Sequence, residues 1–160
     1  MALEISTKKN SGLIYIIGIG LLTGTLDAIS AILLNWKIPA AAIFKFIASA
    51  VFGKAAAYAG GATMVLWGVL FHYLIAFLFT TAFFLLHPMF YSWFRNKILT
   101  AVFYGVIIWI VMNIIVLPLT LIPPRPFHLQ DAAIDCGILI ICFGLPISFI
   151  ATSYYFFKAK

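Results

Sequence analysis

Apolar positions gather into four long runs, about Gly12–Leu34, Ala62–Leu86, Ile98–Leu121 and Ala132–Phe157. A bilayer core about 30 Å thick takes roughly 20 apolar residues as a helix, so each run is long enough to cross. The breaks between the later runs have loop chemistry. "HPMFYSWFRNK" (His87–Lys97) brings a proline, interfacial aromatics and two positive charges, and "IPPRPFHLQD" (Ile122–Asp131) brings three prolines. Both are expected to separate helices.

The connection after the first run differs. "IPAAAIFKFIASAVFGK" (Ile38–Lys54) is apolar but short, with Lys45 near its middle. Pro39 suits a first helical turn and Gly53 a C-terminal stop. The pattern predicts a short helix over about 39–53 that lies in the interface or re-enters the membrane. Lys45 and Ser49 (i, i+4) would share its wetter side, with Lys45 reaching lipid headgroups. A fifth span is the alternative, and the run is short for one.

Composition narrows the class. Hydrophobic residues make up 65% of the 160, charged residues 9%, and the mean hydropathy is +1.16. Such a chain cannot cover a soluble surface, so a single integral-membrane domain over 1–160 is expected. The net charge of +6 comes from basic residues scattered at the ends of runs. They suit membrane lipids as partners and do not suggest a nucleic-acid binder. The first run resembles a signal peptide only superficially. It is too long for an h-region and Asp27 interrupts it, so it is expected to persist as a span.

Four spans put both termini on one side. Lys8, Lys9, Arg95, Lys97, Lys158 and Lys160 fall there, against Lys37, Lys45, Lys54 and Arg125 opposite. Six against four favours cytoplasmic termini in a bacterial inner membrane. Trp36, Tyr91, Trp93, Tyr154 and Tyr155 fall at run ends, as interfacial belts do. Cys136 and Cys142 lie on different faces of one helix, which disfavours a disulfide and suits buried thiols.

Polar residues inside spans are costly and therefore informative. They are Asp27 in the first run, His72 in the second, Asn113 in the third and Asp135 early in the fourth. Because spans alternate in direction, their depths can be compared from one surface. At 1.5 Å per residue, Asp27, His72 and Asn113 lie about 10, 15 and 12 Å deep and Asp135 about 5 Å. The first three form one predicted polar layer.

Small residues say which way these groups face. Gly20, Thr23, Gly24, Ala28 and Ala31 share the Asp27 stripe, and Gly68, Ala76 and Thr80 share the His72 stripe. Gly137, Gly144, Ser148 and Thr152 offer a similar stripe in the fourth run. Small residues let helices approach, so these stripes are expected to face protein. Pro118 and Pro146 deprive Ile114 and Cys142 of their helical donors, which suggests kinks beside the layer.

Several chemistries remain open for that layer. Asp27 and His72 are a structural polar clasp, a proton- or ion-handling pair, or, with only one mid-membrane histidine to support it, part of a metal or haem site. Asn113 is expected to bond between helices. His87 and His128 read as interfacial loop residues, and Asp131 as a helix N-cap. No hydrolase, metalloprotease or nucleotide-binding motif is present, so nothing positive points to an enzyme, and no cofactor or metal is expected.

"GTLDA", "WGVLFHYLIAF" and "MNIIVLPLTLIPPRPF" together resemble the YagU-like family of small bacterial inner-membrane proteins. The resemblance covers roughly residues 12–150 and lies in the order of spans and in short patterns such as P-L-x-L-x-P-P. It implies a multi-span inner-membrane protein of undefined activity. The fourth run lacks a histidine that such relatives would carry.

The expected fold is thus an all-α, four-helix transmembrane bundle with a short interfacial or re-entrant helix between spans one and two. Three functions are carried forward. The first is a channel- or transporter-like protein, as a homo-oligomer, for protons or a small polar solute. The second is a structural or accessory protein whose layer is packing glue. An enzyme acting on lipid or quinone comes last.

Overall fold

Each apolar run becomes a helix. The computed structural model describes residues 2–124 and 126–158, with side chains over 12–124 and 126–156. Four stretches are long and apolar enough to cross a membrane: Gly12–Leu34, Gly61–Phe94, Lys97–Leu119 and Leu129–Phe156. The chain is therefore a multi-pass membrane protein built as an all-α bundle, with no strand among the described residues. The side chains of Lys8, Lys9, Arg125, Lys158 and Lys160, on which the charge comparison partly rests, lie outside the described residues.

The first span belongs to α1 (Ala2–Leu34). It is followed by α2 (Ala40–Phe52), α3 (Lys54–Ala59) and the long α4 (Gly61–Phe94). Gly53, at φ 76°, stops α2 as expected, a backbone angle that suits glycine. The third span starts as α5 (Lys97–Ile110). It continues through a π-helical segment, Val111–Val116, and a 3₁₀ turn, Leu117–Leu119. The fourth runs as α6 (Leu129–Ile138), a second π-helical segment, Leu139–Gly144, and α7 (Leu145–Lys158).

Several boundaries correct the sequence reading. The second span does not end at His87; α4 carries Pro88 inside it and runs on to Phe94. Proline leaves the carbonyl four residues back without its helical donor. Here that carbonyl, of Phe84, accepts from the Tyr155 hydroxyl at 2.6 Å. A side chain from α7 thus replaces the missing bond. The turn comes later, where Arg95 takes a left-handed conformation and Asn96 caps α5 by accepting from the Ile98 and Leu99 N–H groups. Asp131 is not a cap but lies in the first turn of α6, where a carboxylate complements the helix dipole.

Pro118 and Pro146 have more than a kink before them. Each stands two residues beyond a π-helical segment, and the residue preceding each proline bonds five residues back, Leu117 to Met112 and Leu145 to Ile140. The wider turn relieves the crowding that a proline ring imposes on the preceding turn.

The bundle is closed at one end and splayed at the other. Toward the termini, Ile19, Phe83, Phe84, Phe90, Tyr104, Phe143, Ile147 and Ala151 form one buried core. Gly144 admits the backbone of Ala101, so α5 and the fourth span touch directly. Gly20 receives the ring of Phe77, and Gly24 receives Tyr73 and Ala76. These glycines seat α1 on α4, as their stripe predicts. Gly137 does not pack: nothing lies within 4 Å of where its side chain would be, because it falls on the splayed half.

The short helix α2 lies across α4. Phe44 meets His72 at 6.3 Å, and Phe52 meets Trp67 and Phe71 at 5.7 and 6.0 Å. Phe44 and Phe52 stand about 12 Å apart along α2 but touch one short stretch of α4, so the two helices cross. The crossing needs Gly68, which any side chain would drive into the Phe44 carbonyl. Ser49 is buried at 3% exposure, not on a wetter side, and donates to the Phe46 carbonyl. Lys45 is half-buried, and its ammonium donates to the Tyr58 carbonyl in the last turn of α3, a favourable place for a cation.

Candidate functional site

The splayed half encloses a cavity of about 330 Å³ to which all four spans and α2 contribute. Asp27 and Ser30 come from α1, Asn35 from the turn after it, Ile47 from α2 and His72 from α4. Trp109 and Asn113 come from the third span, and Asp135 from α6. The four polar residues singled out by depth thus face one space. Phe79, Ile108 and Phe143 line it toward the closed core, with Phe79 and Phe143 edge to face at 6.4 Å. Asn35 and Asp135, both exposed, stand at the rim on the side away from the termini.

How these residues bond differs from the simplest expectation. His72 Nε2 lies 2.7 Å from the Gly24 carbonyl. A carbonyl only accepts, so this nitrogen carries a proton and donates to it. The histidine therefore binds the backbone one turn before Asp27, not the carboxylate. Asp27 lies within electrostatic reach of His72 and Asp135 but receives no hydrogen bond on its carboxylate among the described residues. Asn113, expected to bond between helices, donates instead to the Trp109 carbonyl of its own span at 3.0 Å. The link between α1 and α4 is completed by the Thr25 and Tyr73 hydroxyls, 2.8 Å apart.

Cys136 and Cys142 are free and half-buried. Among the described residues, no three of His, Cys, Asp and Glu gather as a metal site would require.

A second polar group escaped the sequence reading. His87 is not in an interfacial loop; it is 2% exposed within α4. Its ring lies between Tyr155 (5.0 Å, 4°) and Tyr91 (5.5 Å, 16°), so neither tyrosine serves as a simple interfacial anchor. Thr152 spends its proton on the Ser148 carbonyl, so the 2.9 Å contact to His87 Nε2 has the histidine as donor. The Nδ1 atom is buried without a partner. The usable signal was the stripe Gly68, His72, Ala76, Thr80, which reaches Phe83 and His87 in further helical steps. Pro88 masked it.

Compared with protein-family models, curated proteins and solved structures, the chain matches none, so the reading of the cavity rests on its own geometry.

Proposed function

We propose that the chain is a small channel- or transporter-like protein of a bacterial inner membrane, with cytoplasmic termini. It admits protons or a small polar solute to the cavity between its spans. The observation that carries this reading is the cavity itself. Asp27, His72, Asn113 and Asp135, from four different spans, line one space of about 330 Å³ that opens opposite the termini. Polar groups held only as glue would be saturated by one another. Asp27 instead presents a carboxylate with no protein donor among the described residues.

A structural role is favoured by one observation, the bonds from Tyr73 and His72 to Thr25 and the Gly24 carbonyl, which clasp α1 to α4. Flux in proteoliposomes under a pH gradient separates the two. The transport reading expects flux above empty liposomes that Asp27→Asn reduces by about tenfold or more. Equal flux in the two proteins, or none above empty liposomes, overturns it.

A further inference from the structure

We infer that the occupant of this cavity is a small organic cation, a primary ammonium on a compact apolar body. The inference rests on the solute-handling reading above and specifies its substrate class. The polar wall has turned its donors away from the space. The Ser30 hydroxyl donates to the Asp27 carbonyl at 2.7 Å, and the Asn35 amide to the Ala31 carbonyl at 2.9 Å. The Asn113 amide donates to the Trp109 carbonyl at 3.0 Å, and His72 Nε2 is paired with the Gly24 carbonyl at 2.7 Å. Ser30, Asn35 and Asn113 therefore offer the cavity chiefly lone pairs: a hydroxyl oxygen and two amide oxygens.

Charge points the same way. Asp27 and Asp135 bring two carboxylates to the lining, and among the described residues no Lys or Arg contributes to it. One amide N–H on each asparagine and the Trp109 indole N–H remain as neutral donors. A carboxylate held in a low-dielectric interior is stabilised by a charged, hydrogen-bonding partner. A primary ammonium supplies that partner to Asp27 and keeps two further N–H donors for the surrounding lone pairs.

The rest of the wall describes the body of the molecule. Phe79, Trp109 and Phe143 offer aromatic surface beside the acidic groups, which favours a cation with apolar substituents. The volume of about 330 Å³ suits a small organic molecule. A bare metal ion would need several oxygen ligands converging within about 2.6 Å, and this cavity is too wide and too apolar for that.

The test is calorimetric binding to the full chain in detergent, using benzylammonium, benzyl alcohol and benzoate. These share a ring and differ in charge. Benzylammonium is expected to bind saturably, at least about tenfold more tightly than the other two. Asp27→Asn is expected to weaken it by a similar factor. Asp135→Asn, at an exposed position, gives a second charge-removing variant. Comparable binding of all three probes, preference for benzoate, or unchanged benzylammonium affinity in both variants overturns the inference. If no probe binds while proton flux persists, the cation is wrong and the transport reading stands. If benzylammonium binds without flux, the cation stands and the transport reading falls.

Discussion

His87 shows how much a single side chain can depend on its neighbours. It is stacked between two tyrosines and tied to Thr152, yet one ring nitrogen finds no partner. Packing, more than hydrogen bonding, should therefore set its worth. His87→Ala is expected to cost about 3 kcal/mol in detergent unfolding, from the cavity left between the rings. His87→Phe keeps the stack and frees no buried donor, since Thr152 still donates to Ser148, so its cost should be about 1 kcal/mol or less. Equal losses for the two would show that the Thr152 bond matters more. At this scale the sequence told depth but not bonding. Asp27, His72 and Asn113 reach one space because helix rise fixes how far along a span a residue lies. Which carbonyl His72 or Asn113 then chooses depends on rotamers and local backbone spacing, and no pattern in the chain encodes those.

Among the elements, α4 carries the clearest lesson. Its proline was a reasonable stop signal, and α4 continues through it because α7 supplies Tyr155 to the Phe84 carbonyl. The two residues should therefore be energetically coupled. Tyr155→Phe is expected to cost about 1–2 kcal/mol by leaving that carbonyl unpaired. In a Pro88→Ala background the helix regains its own donor, and the same change should cost less than half as much. A double-mutant cycle by thermal or denaturant unfolding reads the difference. Strictly additive effects would mean that the hydroxyl does not substitute for the missing N–H. The four spans and the stop at Gly53 were legible because length, hydropathy and glycine geometry are local properties. The helix through Pro88 was not, because its rescue comes from 71 residues away in sequence.

For the whole molecule, the division into a closed half and a splayed half is what matters. Thr80, Ser148 and Tyr104 are fully or nearly fully buried in the closed half, whereas Asn35 is exposed at the rim of the cavity. With Cys136 and Cys142 replaced by Ala, a membrane-impermeant maleimide should label Asn35→Cys quickly and Ser148→Cys only after denaturation. Similar labelling at both positions would show that the two halves are equally open. The asymmetry was partly legible. Aromatic residues dominate the closed core, while Asp27, His72, Asn113 and Asp135 fall in the other half. The crossing of α2 over α4 was not legible, because it depends on the missing side chain of Gly68 meeting one carbonyl of Phe44.

The two π-helical segments act as phase shifters. Each inserts a residue's worth of rotation, about 100°, between the start and the finish of its span. A helical wheel drawn through the whole third or fourth span therefore superimposes two different wheels. Tyr104, before the first segment, points into the aromatic core, while Asn113 and Leu117, within and beyond it, line the cavity. Without the extra residue, one rigid cylinder would have to choose which of the two it faced.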